Sequence, residues 1–172
     1  IEALKELRVH PSEITGNLVM PFIPRALELQ AKDDEAFGII VKYLAHAASI
    51  HAACTELMLN EDWDFTAVYH DAIDHFSHAF MKFYPPKQEH IDQERYDLLK
   101  DAVTGVYIFH DMMLERLLKI VDKDTTVIIC SDHGFHSDHL RPRMLPQVPS
   151  GPAIEHSPYG IFAIKGPGIK KN

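Results

Sequence analysis

The chain has 172 residues, 46% of them apolar and 24% charged, with a net charge of -8. That length suits one domain with a sizeable core, and the balance excludes a disordered or low-complexity chain. The acidic excess and the lack of a basic stripe argue against a nucleic-acid surface or an anionic membrane face, although a phosphate site can still sit in a locally positive metal cleft.

The first residues, IEALKELR, read as the middle of a helix without the apolar core of a signal peptide. No run reaches the ~18 apolar residues of a membrane helix. Cys54 and Cys130 fall far apart in apolar segments and read as buried thiols. Together these features point to a cytoplasmic protein and to an excerpt of a longer chain. A proline-punctuated connector follows, in which His10-Pro11-Ser12-Glu13 opens a helical turn, Gly16 ends it, and Pro21 and Pro24 break what comes next. Ser12 and Thr15 have no strand before them to present either as a nucleophile.

Asp33 is placed to cap a long helix over residues 34–59, whose apolar face includes Ile39, Ile40, Tyr43, Leu44, Ala47, Ile50 and Cys54. His46 and His51 lie five apart, a poor helical spacing for a shared metal, and read as structural or exposed. DFTAVY, residues 64–69, reads as a strand buried on both faces. It runs into His70, Asp71, Asp74, His75 and His78. An Asp-x-x-x-His run just past a strand lets the helical turn swing the imidazole onto the carboxylate's side. Two overlapping pairs have this spacing, Asp71 with His75 and Asp74 with His78, and one face cannot hold both. A polar helix N-terminus with carboxylates at its dipole has the same pattern. Phe76, Phe80, Met81 and Phe83 give the short helix a buried face and would wall a site near His78.

A second long helix is expected over residues 92–121, buried through Leu98, Leu99, Val103, Val106, Met113 and Leu117. Gly105 inside it costs ~1 kcal/mol relative to Ala, which close packing would explain. His110 on the apolar side reads as a hydrogen-bonded core histidine. Val127, Ile128 and Ile129 then form an unalternating β-branched run, the pattern of an inner parallel strand, closing a right-handed strand, helix, strand unit. The run stops at Ser131-Asp132-His133-Gly134, so a carboxylate and an imidazole stand where open α/β sheets build their sites. Asp and neutral imidazole both suit a zinc-like ion, and an Asp-capped turn beside a surface histidine is the bland alternative. Beyond it, His136, Asp138 and His139 line a pocket, add a ligand or form a solvated loop, the last expected for His139. Arg141 and Arg143 would suit a phosphate. A proline-rich stretch to Pro152 leads to His156, a third candidate ligand just before a last strand, IFAIKG. The expected fold is α/β, a mostly parallel central sheet flanked by long helices. Residues 1–63 form a helical connector packed on the core, and residues 64–172 carry the sheet of one compact domain.

A strand followed by Asp74-x-x-x-His78, a strand followed by Ser131-Asp132-His133-Gly134, and His156 followed by GIFAIKGPGIK together resemble the alkaline phosphatase superfamily. Within it, they resemble the type I phosphodiesterase/nucleotide pyrophosphatase branch with its bacterial phosphohydrolases. The resemblance covers most of residues 65–171 and makes the preceding helical region an insertion in a partial alkaline-phosphatase-like fold. It implies a small phosphate-ester substrate, of phosphodiester or nucleotide pyrophosphate type, and two divalent ions, zinc or alternatively manganese. Asp74, His78 and His156 would hold one ion. Asp132 and His133 would help hold the other, leaving Asp71, His75 and His136 for substrate or supporting contacts. Two such ions ~3.5 to 4 Å apart bind phosphoryl oxygens, lower the pKa of the nucleophile and stabilise the leaving oxygen. The family's Asp on an earlier strand, its Thr or Ser nucleophile at a helix N-terminus and its closing segment have no counterpart here. The resemblance therefore implies a fragment of a larger phosphohydrolase with little turnover of its own. Phosphomutase or sulfatase relatives share these ligand types, and a non-catalytic, metal-stabilised α/β module is the reading outside enzymes.

Overall fold

A computed structural model describes residues 2–143 and 154–170, so the proline-rich stretch up to Pro152 lies outside the described residues. The helices come first: α1 (Glu2–Lys5), a 3-10 turn (Pro11–Glu13), α2 (Gly16–Val19), α3 (Ala26–Ala31), α4 (Glu35–Asn60), α5 (Ala72–Phe80), α6 (Gln93–Leu99) and α7 (Ala102–Ile120). Among the described residues four strands follow: β1 (Val127–Ser131), β2 (Gly134–Phe135), β3 (His156–Ser157) and β4 (Ile161–Lys165).

The core lies between helices. Val19, Ile23 and Leu29 from the connector, Ile40 and Leu44 of α4, Phe76 and Phe80 of α5, Leu98 and Leu99 of α6, and Val103, Val106 and Met113 of α7 form one apolar cluster. The helical region before residue 63 thus shares its core with the elements after it. Phe76 and Phe80 stand one turn apart and meet edge-on at 5.5 Å, deep in the cluster. Burying each ring contributes about 2–3 kcal/mol. α4 has 26 residues and contains an 18-residue window of mean hydropathy 1.3, so by length and composition it is long and apolar enough to cross a bilayer, although polar residues interrupt its apolar run. Its apolar stripe faces this cluster.

Two helix boundaries differ from expectation. Asp34, not Asp33, caps α4, its Oδ1 accepting the Ala36 N–H at 2.9 Å. Asp33 instead takes a φ of 50°, turning the chain out of α3 and into the cap. The second long helix is divided into α6 and α7. Lys100 and Asp101 keep right-handed dihedrals at the junction, so the stripe Leu98, Leu99, Ala102, Val103, Val106 continues across it and only the hydrogen-bond ladder is interrupted.

The sheet departs further from expectation. β1 pairs with β4 antiparallel, from Val127 opposite Lys165 to Ser131 opposite Ile161, and β2 pairs with β3 antiparallel. No helix lies between β1 and β4 among the described residues, and parallel neighbours need a crossover of that kind. Gly160 allows the close return, because a Cβ there would lie 1.8 Å from the Ser131 carbonyl oxygen. Residues 64–69 form no strand, and Phe65 and Tyr69 are exposed. β1 and β4 are also bare, with Ile128 54% and Phe162 69% exposed, and Cys130 is exposed while Cys54 is buried. A β-branched run reads the same whether or not its faces are covered, and here β4 is the strand that pairs with β1.

Candidate metal centre

The site forms where α5 meets the β2–β3 ribbon. α5 carries Asp74 and His78 one turn apart, which brings His78 Nε2 to 3.5 Å from Asp74 Oδ2. The turn after β1 delivers His133, and β3 delivers His156 opposite Phe135. His133 Nε2 and His156 Nε2 lie 3.6 and 3.7 Å from Asp74 Oδ1. Their rings stack at 3.8 Å with 14° between planes. His78 Nε2 closes on His156 Nε2 at 3.1 Å. Asp74, His133 and His156 each offer a ligand atom within 4.8 Å of the others.

The donor set fits a transition metal. Ligand atoms around a tetrahedral ion at ~2.0–2.2 Å stand ~3.3–3.6 Å apart. The contacts here run from 3.1 to 3.7 Å. Asp74 Oδ1 is buried with no hydrogen-bond partner, an orphaned acceptor facing two imidazoles. Loss of solvent, with neighbouring His133 and His78, holds the His156 pKa below its usual range against the opposing pull of Asp74 and Glu155. A neutral imidazole is the form that ligates.

Other expected residues fall elsewhere. Asp132 is 93% exposed and its Oδ1 reaches only 4.0 Å from His133 Nε2, so the turn turns its carboxylate outward. The overlapping pair is separated by helix geometry. Asp71 faces α4, 3.4 Å from His46 Nδ1 and 3.4 Å from His75 Nε2, while His75 stacks on Tyr43 at 4.2 Å. His136 contributes its backbone N–H, donated to the Glu155 carbonyl at 3.0 Å, which extends the β2–β3 ladder by one rung. Arg141 is not available to a phosphate. It is 7% exposed and donates to the carbonyls of Met81, Tyr84, Pro86 and Asp138, tying the segment after β2 to the end of α5.

The wall of the site is Phe135, which meets His78 at 5.0 Å and His156 at 4.7 Å, both edge-on. The expected wall residues Phe76, Phe80 and Phe83 are in the core instead. Beyond Phe135 lies a cleft of about 380 Å³ lined by Met81, Tyr84, Val103, Thr104, Tyr107 and Ser137. Sequence reasoning gave no role to Glu155. Its Oε1 accepts the His78 Nδ1–H at 2.7 Å, and its position beside His156 was the available signal. A second imidazole group, away from the centre, holds His70 edge-on to His110 at 5.3 Å, with His51 close enough to act on both electrostatically. His70 Nδ1, His110 Nε2 and His51 Nδ1 are buried without partners, while His110 Nδ1 donates to the Val106 carbonyl at 2.8 Å, as expected of a core histidine.

Comparison with curated proteins and with solved structures gives no match. The family model for type I phosphodiesterase / nucleotide pyrophosphatase matches residues 9–141, a span that takes in the helical region as well as Asp74, His78, Asp132 and His133, and that ends before His156. The chain belongs to this family of phosphoester hydrolases, a branch of the alkaline phosphatase superfamily.

Proposed function

We propose that the protein is a metal-dependent hydrolase of phosphodiester or nucleotide pyrophosphate bonds in small molecules. The observation that carries this is the convergence of Asp74, His78, His133 and His156 from α5, the turn after β1, and β3. Asp74, His78 and His156 hold one ion. His133 and Asp132 would serve a second. An imidazole-rich set with one carboxylate favours zinc over manganese. Two such ions supply a nucleophile activated at neutral pH and a counter-charge for the leaving oxygen.

The chain's own residues orient and shield. Phe135 keeps one side of the imidazoles dry, and the cleft beyond it, with Thr104, Tyr107 and Ser137, takes the organic group of the ester. Ser131, the hydroxyl beside the site in sequence, donates to the His133 carbonyl at 2.6 Å and is not poised to attack. On the family resemblance, we assign the nucleophile to a segment outside this sequence, and the 172-residue chain alone is expected to turn over slowly or not at all.

Zinc titration with elemental analysis and calorimetry, run beside Asp74→Ala and His156→Ala, tests the site. One tight site per chain, lost in both variants, is expected. No binding, or binding unchanged in both, refutes the ligand set. A robust zinc-dependent rate on a chromogenic phosphodiester from this chain alone would overturn the assignment of the nucleophile elsewhere.

A further inference from the structure

The geometry points to Glu155 as the positioning residue that fixes the tautomer and aim of His78, a role that rests on the metal-centre reading above and adds a residue to it. A carboxylate can only accept, so the 2.7 Å contact of Glu155 Oε1 with His78 Nδ1 places a proton on Nδ1. In the neutral ring this leaves His78 Nε2 with its lone pair exposed, 3.1 Å from His156 Nε2 and 3.5 Å from Asp74 Oδ2. That is the nitrogen a metal would use. Metal-bound imidazoles generally give their other N–H to a carboxylate or carbonyl, which locks the ring and raises its basicity.

Two further observations support the assignment. The Glu155 side chain is only 12% exposed, and among the described residues it pairs with His78, so this is not a passing surface contact. Its backbone is also held, since the Glu155 carbonyl accepts the His136 N–H at 3.0 Å as the rung beyond Phe135 and His156. The β2–β3 ribbon thereby delivers a ligand, His156, and the carboxylate that orients another, His78, from adjacent positions. With His78 protonated at Nδ1, the 3.1 Å contact between the two Nε2 atoms is one that His156 Nε2–H would donate.

The test uses the full chain at pH 8, with Glu155→Ala and Glu155→Gln. Long-range nitrogen–proton NMR on the metal-free protein reads the tautomers directly. The expectation is His78 protonated at Nδ1 in the wild type and in Glu155→Gln, whose amide oxygen can still accept, and loss of that preference in Glu155→Ala. Zinc affinity, measured by chelator competition, should fall ~10- to 100-fold in Glu155→Ala and less in Glu155→Gln. The cobalt ligand-field spectrum should change with Glu155→Ala while far-ultraviolet circular dichroism stays the same. A wild-type His78 protonated at Nε2, or a Glu155→Ala variant with wild-type tautomer and wild-type zinc affinity, overturns the inference. If the wild type binds no zinc, the metal reading falls, and the His78 tautomer in wild type and Glu155→Ala then decides this inference alone.

Discussion

Replacing either of two helical glycines by alanine should change stability in opposite directions. Within a helix, Gly to Ala gains about 1 kcal/mol through backbone entropy. Gly38, in α4, has no heavy atom within 4 Å of where a Cβ would stand, so Gly38→Ala should realise most of that gain. Gly105, in α7, would place its Cβ 2.5 Å from the Phe22 carbonyl oxygen and 3.0 Å from both Phe22 C and Ile23 Cγ1. The nearest obstacle is backbone, so relief requires α7 to withdraw from the 22–23 segment by roughly 1 Å. That movement would open the Phe22–Phe109 edge contact, now at 5.6 Å, and loosen Val106 in the core. Overpacking of this kind costs ~1–3 kcal/mol. Set against the local gain of about 1 kcal/mol, Gly105→Ala should lose up to about 2 kcal/mol net, and the two variants should differ by about 1–3 kcal/mol. Urea denaturation followed by circular dichroism measures both midpoints, with an unchanged m-value showing that the denatured state is comparable. If both variants are stabilised alike, α7 is not seated against Phe22 and Ile23, and the packing argument fails.

Two other consequences concern stability. Arg141→Ala removes donors to the carbonyls of Met81, Pro86 and Asp138 from a buried position and should cost ~2–3 kcal/mol, and Arg141→Lys, which cannot fork, should recover less than half of it. Equal stability of Arg141→Ala and wild type in urea would show the clamp to be idle. Burial, reinforced by His110 and His51, pushes His70 from its ordinary 6.5 down to about 4. The unfolded chain takes up the proton first as pH falls, so stability is full above about 6.5, declines towards 4 and levels off below it. Because His70 retains some contact with solvent, about 1–2 kcal/mol of the decline is assigned to it. His70→Gln should flatten the urea midpoint over that window, and an unchanged pH profile would remove His70 as its source.

The sequence by itself determined the local features. The apolar stripes on α4, α6 and α7 follow from 3.6-residue periodicity, Gly105 inside α7 announced a close neighbour, and Asp74-x-x-x-His78 put two ligand types one turn apart. Each depends on residues close in the chain, whose relative geometry the backbone fixes. Tertiary structure decided the partners. It sent Asp71 and His75 towards His46 and Tyr43 while leaving Asp74 to face His133 and His156, a choice that two identical spacings could not make. It committed Arg141 to carbonyls more than fifty positions away and brought Glu155 to His78 across the chain. It also set β4 against β1 in the antiparallel sense and left both strands bare, although their composition suits an inner parallel strand. Composition and spacing record what a segment can bury or ligate. Which surface or partner it meets depends on contacts between distant parts of the chain, and those exist only once the helices have packed.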